Sequence, residues 1–140
     1  MKPVFRRLSA VVVLAALSGL MSCAVNPVTG KKEIMLIPES QEIEIGKSTD
    51  ASIKQQFGLY EDRELAAYVE RVSRKLVPYT HRNQLPYHFA VLDTSVENAF
   101  AAPGGYIYVT RGLLAMMNSE AELATVIGHE LGHVNARHSV

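Results

Sequence analysis

One cysteine occurs in 140 residues. A lone thiol builds neither an internal disulfide framework nor a cysteine-rich zinc site. Neither sign of charge dominates, because 14 Lys and Arg balance 14 Asp and Glu. That balance excludes a broadly basic nucleic-acid binder and a polyanionic tail, so no nucleic acid is expected as a partner. Internal repeats and low-complexity segments are absent from the sequence. At 48% hydrophobic residues the composition is not that of a disordered chain. The length suits one domain rather than two.

No apolar run approaches the roughly 20 residues that cross a bilayer comfortably as a helix. The longest, at 8–17, is interrupted only by Ser9. It follows Lys2, Arg6 and Arg7 and runs toward small residues and Cys23. A positive start, a short apolar stretch and a small-residue exit make a secretory signal. Leu20-Met21-Ser22-Cys23 resembles a bacterial lipobox. Residues 1–22 are then a lipoprotein signal peptide, and Cys23 is the lipidation site that anchors the chain to a membrane. Two or more acyl chains make such an anchor stable. The plainer alternative is an uncleaved anchor helix with an incidental thiol. Removing Lys2, Arg6 and Arg7 leaves 11 basic against 14 acidic residues, a net charge of −3.

Residues 23–38 read as a tether or loop. Asn26, Pro27, Thr29 and Gly30 form a turn cluster, and a short apolar piece follows at 34–37. Residues 39–140 form the domain. Its first helix is expected over 40–57, with Ser40 as cap, Glu42 and Glu44 at the favourable N-terminus, and Gly58 as stop. A second helix starts at Glu61 or Asp62 and ends at Pro78. Its Leu65, Tyr68, Val69, Val72 and Leu76 have helical spacing. Strands are expected over 87–92, 99–102 and 106–110; Tyr106, Ile107 and Tyr108 read as sheet residues. A short helix or turn follows at 113–117.

The last helix opens at Ser119, with Glu122 placed three residues on for a capping box. It carries His129-Glu130-Leu131-Gly132-His133. On a helix, the two histidines lie about 40° and one turn apart, roughly 6 Å on the surface. Two imidazoles so placed can fill two positions of a tetrahedral zinc, one ion per chain. Glu130 sits where its carboxylate reaches water at that metal, as a general base and not a ligand. Leu123, Ile127, Leu131 and Val134 form a stripe about 160–180° away, so one face packs and the other meets a cleft. The plain alternative is a surface helix with two solvated histidines. His138, nine residues after His129, falls about 180° around a continued helix and is therefore not expected as a ligand. His81 and His88 read as surface residues. A catalytic zinc takes three protein ligands, of which this chain supplies two. It reaches Val140 without a Gly stop, so the N-terminal part of a longer protein is expected.

Cys23-Ala24-Val25-Asn26-Pro27-Val28-Thr29-Gly30, Asn98-Ala99-Phe100-Ala101-Ala102-Pro103-Gly104-Gly105 and Gly128-His129-Glu130-Leu131-Gly132-His133-Val134-Asn135-Ala136-Arg137-His138 resemble bacterial lipoprotein zinc peptidases. These are similar to the gluzincin family that includes the beta-barrel assembly-enhancing protease and, more distantly, the CAAX prenyl protease. The resemblance implies zinc at His129 and His133 and Glu130 as base. It also implies a third ligand, a Glu on a later helix, and a downstream oxyanion stabiliser; neither lies within 1–140. It implies action on misfolded or stalled envelope proteins.

The expected fold is α+β and zincin-like: helices flanking a small mixed or antiparallel sheet, with the HExxH helix lining the active-site cleft. The expected function is a zinc-dependent endopeptidase of the bacterial envelope, acting on unfolded protein or peptide substrates. Asn98, Ala99, Phe100, Ala101 and Ala102 are the candidate substrate-binding edge, because small side chains let a peptide backbone approach and add as a strand. A non-catalytic envelope chaperone or assembly lipoprotein using the same cleft is the alternative. Ala24 after Cys23 resembles lipoproteins sent to the periplasmic face of the outer membrane.

Overall fold

The computed structural model describes residues 23–25, 32–34 and 37–138. The signal-peptide reading of residues 1–22 lies outside them. Strands β1 (Cys23–Val25) and β2 (Lys32–Ile34) pair antiparallel, Cys23 opposite Ile34. They fall within the stretch read as a tether.

Helix α1 (Glu39–Phe57) is followed by α2 (Arg63–Leu76) and a 3₁₀ turn at Val77–Tyr79. Strands β3 (His88–Leu92), β4 (Ala99–Ala102) and β5 (Tyr106–Thr110) follow, with a 3₁₀ turn at Pro103–Gly105 between the last two. Helices α3 (Arg111–Met116) and α4 (Glu120–Ala136) complete the described chain. The fold is α+β with a small mixed sheet. Among the described residues, no helix is long and apolar enough to cross a membrane.

The sheet order is β3-β5-β4, with β5 parallel to β3 and antiparallel to β4. Central β5 is buried along its whole length, as a strand covered on both faces must be. Its alternation sorts the two cores. Ile107 and Val109 join Val69 and Val72 of α2 and Leu123, Ile127, Leu131 and Val134 of α4. Tyr106 and Tyr108 face the other way, toward Ile53 and Phe57 of α1. The sheet is thus sandwiched, with α4 and α2 on one side and α1 on the other.

Local signals account for most helix ends. Asp62 caps α2, its Oδ1 accepting from Leu65 N–H at 2.9 Å. Thr110 caps α3 in the same way through Leu113 N–H at 3.2 Å. The start of α1 departs from expectation. Its cap is Pro38, which has no capping side chain; Ser40 lies inside the first turn. The Pro38 carbonyl accepts from both Gln41 and Glu42 N–H at 3.0 Å, so the cap falls two residues before Ser40.

Glu42 does more than favour the helix N-terminus: it is only 1% exposed. Its carboxylate accepts from Arg82 Nη1 at 3.1 Å and Nη2 at 2.9 Å and from Gly104 N–H at 3.2 Å, and it forms an ion pair with Arg137 Nη2 at 2.8 Å. Arg82 also donates to Glu39 at 2.9 Å and to the Val134 carbonyl at 3.1 Å. Burial works against the Arg82 charge, but the bonds to Glu42 and Glu39 outweigh it and hold this guanidinium above its ordinary pKa.

Two glycines let α1 come close enough. A Cβ on Gly46 would collide with the Pro103 carbonyl oxygen, and one on Gly104 would stand 3.0 Å from Ile43 Cα. Gly104 also has φ 76°, where side chains are disfavoured. Helix α1 therefore rests backbone to backbone on the turn that ends β4.

Glu42→Ala leaves two buried guanidiniums without their shared partner. It is expected to cost about 3–5 kcal/mol by chemical denaturation of the full-length protein. Glu44→Ala, on the exposed face of the same helix, is expected to stay within about 0.5 kcal/mol. Equal effects would mean that the buried cluster contributes nothing special.

Candidate active site

Helix α4 is placed by its cap and its apolar stripe. Ser119 Oγ accepts from Glu122 N–H at 3.3 Å. Glu122 reaches back to the N–H of Asn118 at 2.9 Å, one residue before the cap. This is a shifted version of the expected capping box. Leu123, Ile127, Leu131 and Val134 are at most 4% exposed and seat the helix against the sheet.

The opposite side carries the histidines. His129 is exposed and His133 is half-buried. Their Nε2 atoms converge to 3.0 Å, with the rings nearly perpendicular. Two nitrogens bound to one tetrahedral zinc at about 2.0–2.1 Å stand roughly 3.3–3.4 Å apart. The pair therefore fits a single such ion after a shift of a few tenths of an ångström. Among the described residues, no group of three or more His, Cys, Asp or Glu is arranged to hold a metal. His129 and His133 supply two donors of the right chemistry.

Glu130 lies between the two ligand positions in sequence but is 7% exposed. Burial raises its carboxyl above the usual carboxylate range, while His133 and His129 pull the other way. A carboxylate that holds a proton more readily than usual is suited to accept and return one.

Strand β4 packs beside α4. Ala99, Phe100 and Ala101 share a cleft with His129, Glu130, His133 and His138. Asn98 and Ala102 do not line it. The Asn98 backbone is bound to Thr110: its carbonyl accepts from Thr110 N–H and its N–H donates to Thr110 Oγ1. Ala102 is buried in the α1-facing core. Phe100 packs on Tyr108 with ring centroids 5.1 Å apart and the rings tilted by 30°.

His138 is where sequence geometry failed. The wheel placed it opposite the histidine pair on the assumption that the helix continues. Instead α4 stops at Ala136, and Arg137 turns left-handed at φ 56°. That turn brings His138 Nδ1 to 2.8 Å from His133 Nδ1. No glycine announces the stop. The responsible side chain is Arg137, held by Glu42 at 2.8 Å and by the Ile37 carbonyl at 2.7 Å. The remaining histidines stand apart from this cleft. His81 borders a groove on another flank of α4, beside Gly128 and Gly132. His88 is exposed and stacks on Tyr106 at 4.5 Å.

Comparison with known proteins extends this geometry. Over 98 residues, the chain is 30% identical to the beta-barrel assembly-enhancing protease of Escherichia coli, covering 70% of this chain and 20% of that protein. It is 35% identical over 92 residues to the mitochondrial metalloendopeptidase OMA1 of Schizosaccharomyces pombe, covering 61% of this chain and 27% of that one. It is 45% identical over 58 residues to the metalloprotease YcaL of Escherichia coli, covering 41% and 22%. The chain thus spans about a fifth to a quarter of the length of these relatives. Residues 62–140, from the α2 cap through the whole HExxH helix, match Peptidase family M48. The chain belongs to peptidase family M48.

Proposed function

We propose that this chain forms part of a zinc-dependent endopeptidase of the bacterial cell envelope, which hydrolyses peptide bonds of misfolded or misassembled envelope proteins. One observation carries the reading. His129 and His133 aim their Nε2 atoms at one point, with Glu130 beside them and the β4 edge across the same cleft. The three relatives named above carry the names of a protease, a metalloendopeptidase and a metalloprotease, which favours an enzyme over a non-catalytic chaperone.

His129 and His133 would hold the zinc. When bound, a zinc ion supplies Lewis acidity: it makes water acidic enough to lose a proton near neutral pH and draws charge from a scissile carbonyl. Glu130 takes the proton from the attacking water and returns it to the leaving amine. Its buried position serves both steps, because a carboxyl with a raised pKa accepts a proton and stays a competent donor. The substrate backbone lies extended beside Ala99, Phe100 and Ala101. β4 runs along the cleft, and its small residues permit close approach. Asn98 and Ala102 bracket this platform and hold it to β5.

The localisation rests on sequence. Cys23 follows Leu20-Met21-Ser22, and Ala24 follows Cys23. We infer acylation of Cys23 and a lipid anchor on the periplasmic face of the outer membrane.

In the full-length protein, Glu130→Gln is expected to keep stoichiometric zinc while peptide hydrolysis falls about 10²–10⁴-fold. His129→Ala is expected to lose zinc as well, read by metal analysis; retained zinc would remove His129 from the ligand set. Stability should follow the raised Glu130 pKa. Between the unfolded and folded values, the folded state binds more protons than the unfolded one, so stability falls as pH rises through that window. Glu130→Gln should therefore raise the melting temperature of metal-free protein at neutral pH, and the gain should vanish at acid pH below the ordinary carboxylate range. Mass spectrometry of the mature N-terminal peptide should find Cys23 acylated; an unmodified thiol there excludes the anchor.

A further inference from the structure

We propose that His138 is a positioning residue for the metal-binding pair. Its Nδ1 accepts a hydrogen bond from His133 Nδ1–H, and this aims the His133 Nε2 lone pair at the point shared with His129. The inference rests on the zinc reading for its consequence, but its geometry stands without it.

Each imidazole has two nitrogens with separate tasks here. His133 Nε2 lies 3.0 Å from His129 Nε2, and His133 Nδ1 lies 2.8 Å from His138 Nδ1. His138 therefore approaches the nitrogen that faces away from the proposed metal. That placement excludes it as a third ligand sharing the ion with His133 Nε2. It fits the outer partner that commonly fixes the tautomer and ring orientation of a ligating histidine. A neutral His133 has one proton for its two nitrogens. If His138 accepts at Nδ1, that proton sits on Nδ1 and Nε2 is left with its lone pair. If His138 donated instead, the proton would sit on Nε2 and block coordination.

The backbone is built to deliver this contact. Arg137 adopts φ 56° and ψ 36°, a left-handed conformation that disfavours a non-glycine residue. Its N–H bonds the Val134 carbonyl at 3.1 Å, and the His138 N–H bonds the His133 carbonyl at 3.1 Å. Both close the helix end in the manner of a left-handed cap. Glycine would be the easy choice at this position. Arginine stands there because its guanidinium is tied to Glu42 and to the Ile37 carbonyl. The buried ion pair thus holds the strained residue, the strained residue turns the chain, and the turn sets His138 against His133. His138 itself is exposed, so it can be substituted without opening the core.

The test uses full-length protein and two readouts. In metal-free protein, above the histidine titration range, ¹⁵N imidazole shifts should place the His133 proton on Nδ1. Zinc affinity, by competition with a chromophoric chelator, should fall roughly 10–100-fold in His138→Ala and His138→Phe. His138→Phe keeps the ring volume but has no acceptor, so a space-filling role predicts wild-type affinity for it. His138→Asn places Oδ1 where Nδ1 stood and should restore binding. Wild-type affinity in His138→Phe, or a His133 proton on Nε2 in the wild type, would overturn the proposal. A wild-type protein that binds no zinc would sink the peptidase reading, while the tautomer measurement would still decide the role of His138.

Discussion

A buried carboxylate shared by two arginines is the constraint on which the rest of the molecule depends. Glu42 comes from α1, Arg82 from the loop before β3, and Arg137 from the end of α4. Gly104, at the end of β4, donates its N–H to the same carboxylate. Four segments distant in sequence are therefore fixed to one side chain. Such a cluster need not add net stability over an apolar replacement, because desolvating the charges offsets their attraction. What it supplies is geometry. A hydrophobic contact tolerates sliding, whereas a carboxylate that accepts three hydrogen bonds and pairs with a second guanidinium has few ways to be satisfied. The two elements that line the cleft, β4 and α4, are each pinned at one end by this group.

Helix α4 meets two demands at once. Its apolar stripe must seat against β5 and α2, and its histidine face must remain open. Glu130 lies on neither extreme: its neighbours in sequence are an exposed ligand candidate, His129, and a core residue, Leu131. That position buries the carboxylate while leaving it at the cleft. The raised pKa is a consequence of where the helix is held, and the packing that holds it is ordinary core packing. The Asn135 side chain adds to the fixation by accepting from Arg82 N–H at 2.8 Å.

Much of this was legible in the sequence wherever a local rule governed. The Asp62 cap, the α2 stripe, the buried α4 stripe and the β-branched run of β5 each follow from residue type and period. The HExxH spacing predicted that two imidazoles share a face. What escaped reading depends on contacts across tens of residues. Ser40 looked like a cap because caps are local, but Pro38 already supplied the first carbonyl. Glu42 reads locally as no more than an acid that favours the helix N-terminus, because its partners lie 40 and 95 positions away. His138 was placed by a helical wheel that a distant ion pair invalidates. A residue such as Arg137, left-handed without being glycine, carries no local signature; it is affordable only because of its tertiary partner.

The same cluster bears on the electrostatics of the cleft. A divalent cation at His129 and His133 would sit near the C-terminal turn of α4, where the helix dipole is negative and favours positive charge. Arg82 and Arg137 are drawn to that same turn, and two free guanidiniums there would oppose the cation. Glu42 and Glu39 stand against them, two acids for two bases, with Glu42 fully buried between both arginines. The arginines can then brace the helix end through hydrogen bonds without presenting net charge to the site. Removing Glu42 would release both defects together: α4 would lose its anchor, and the histidine face would gain uncompensated positive charge. Structural support and the field at the histidines are, in this molecule, set by one carboxylate.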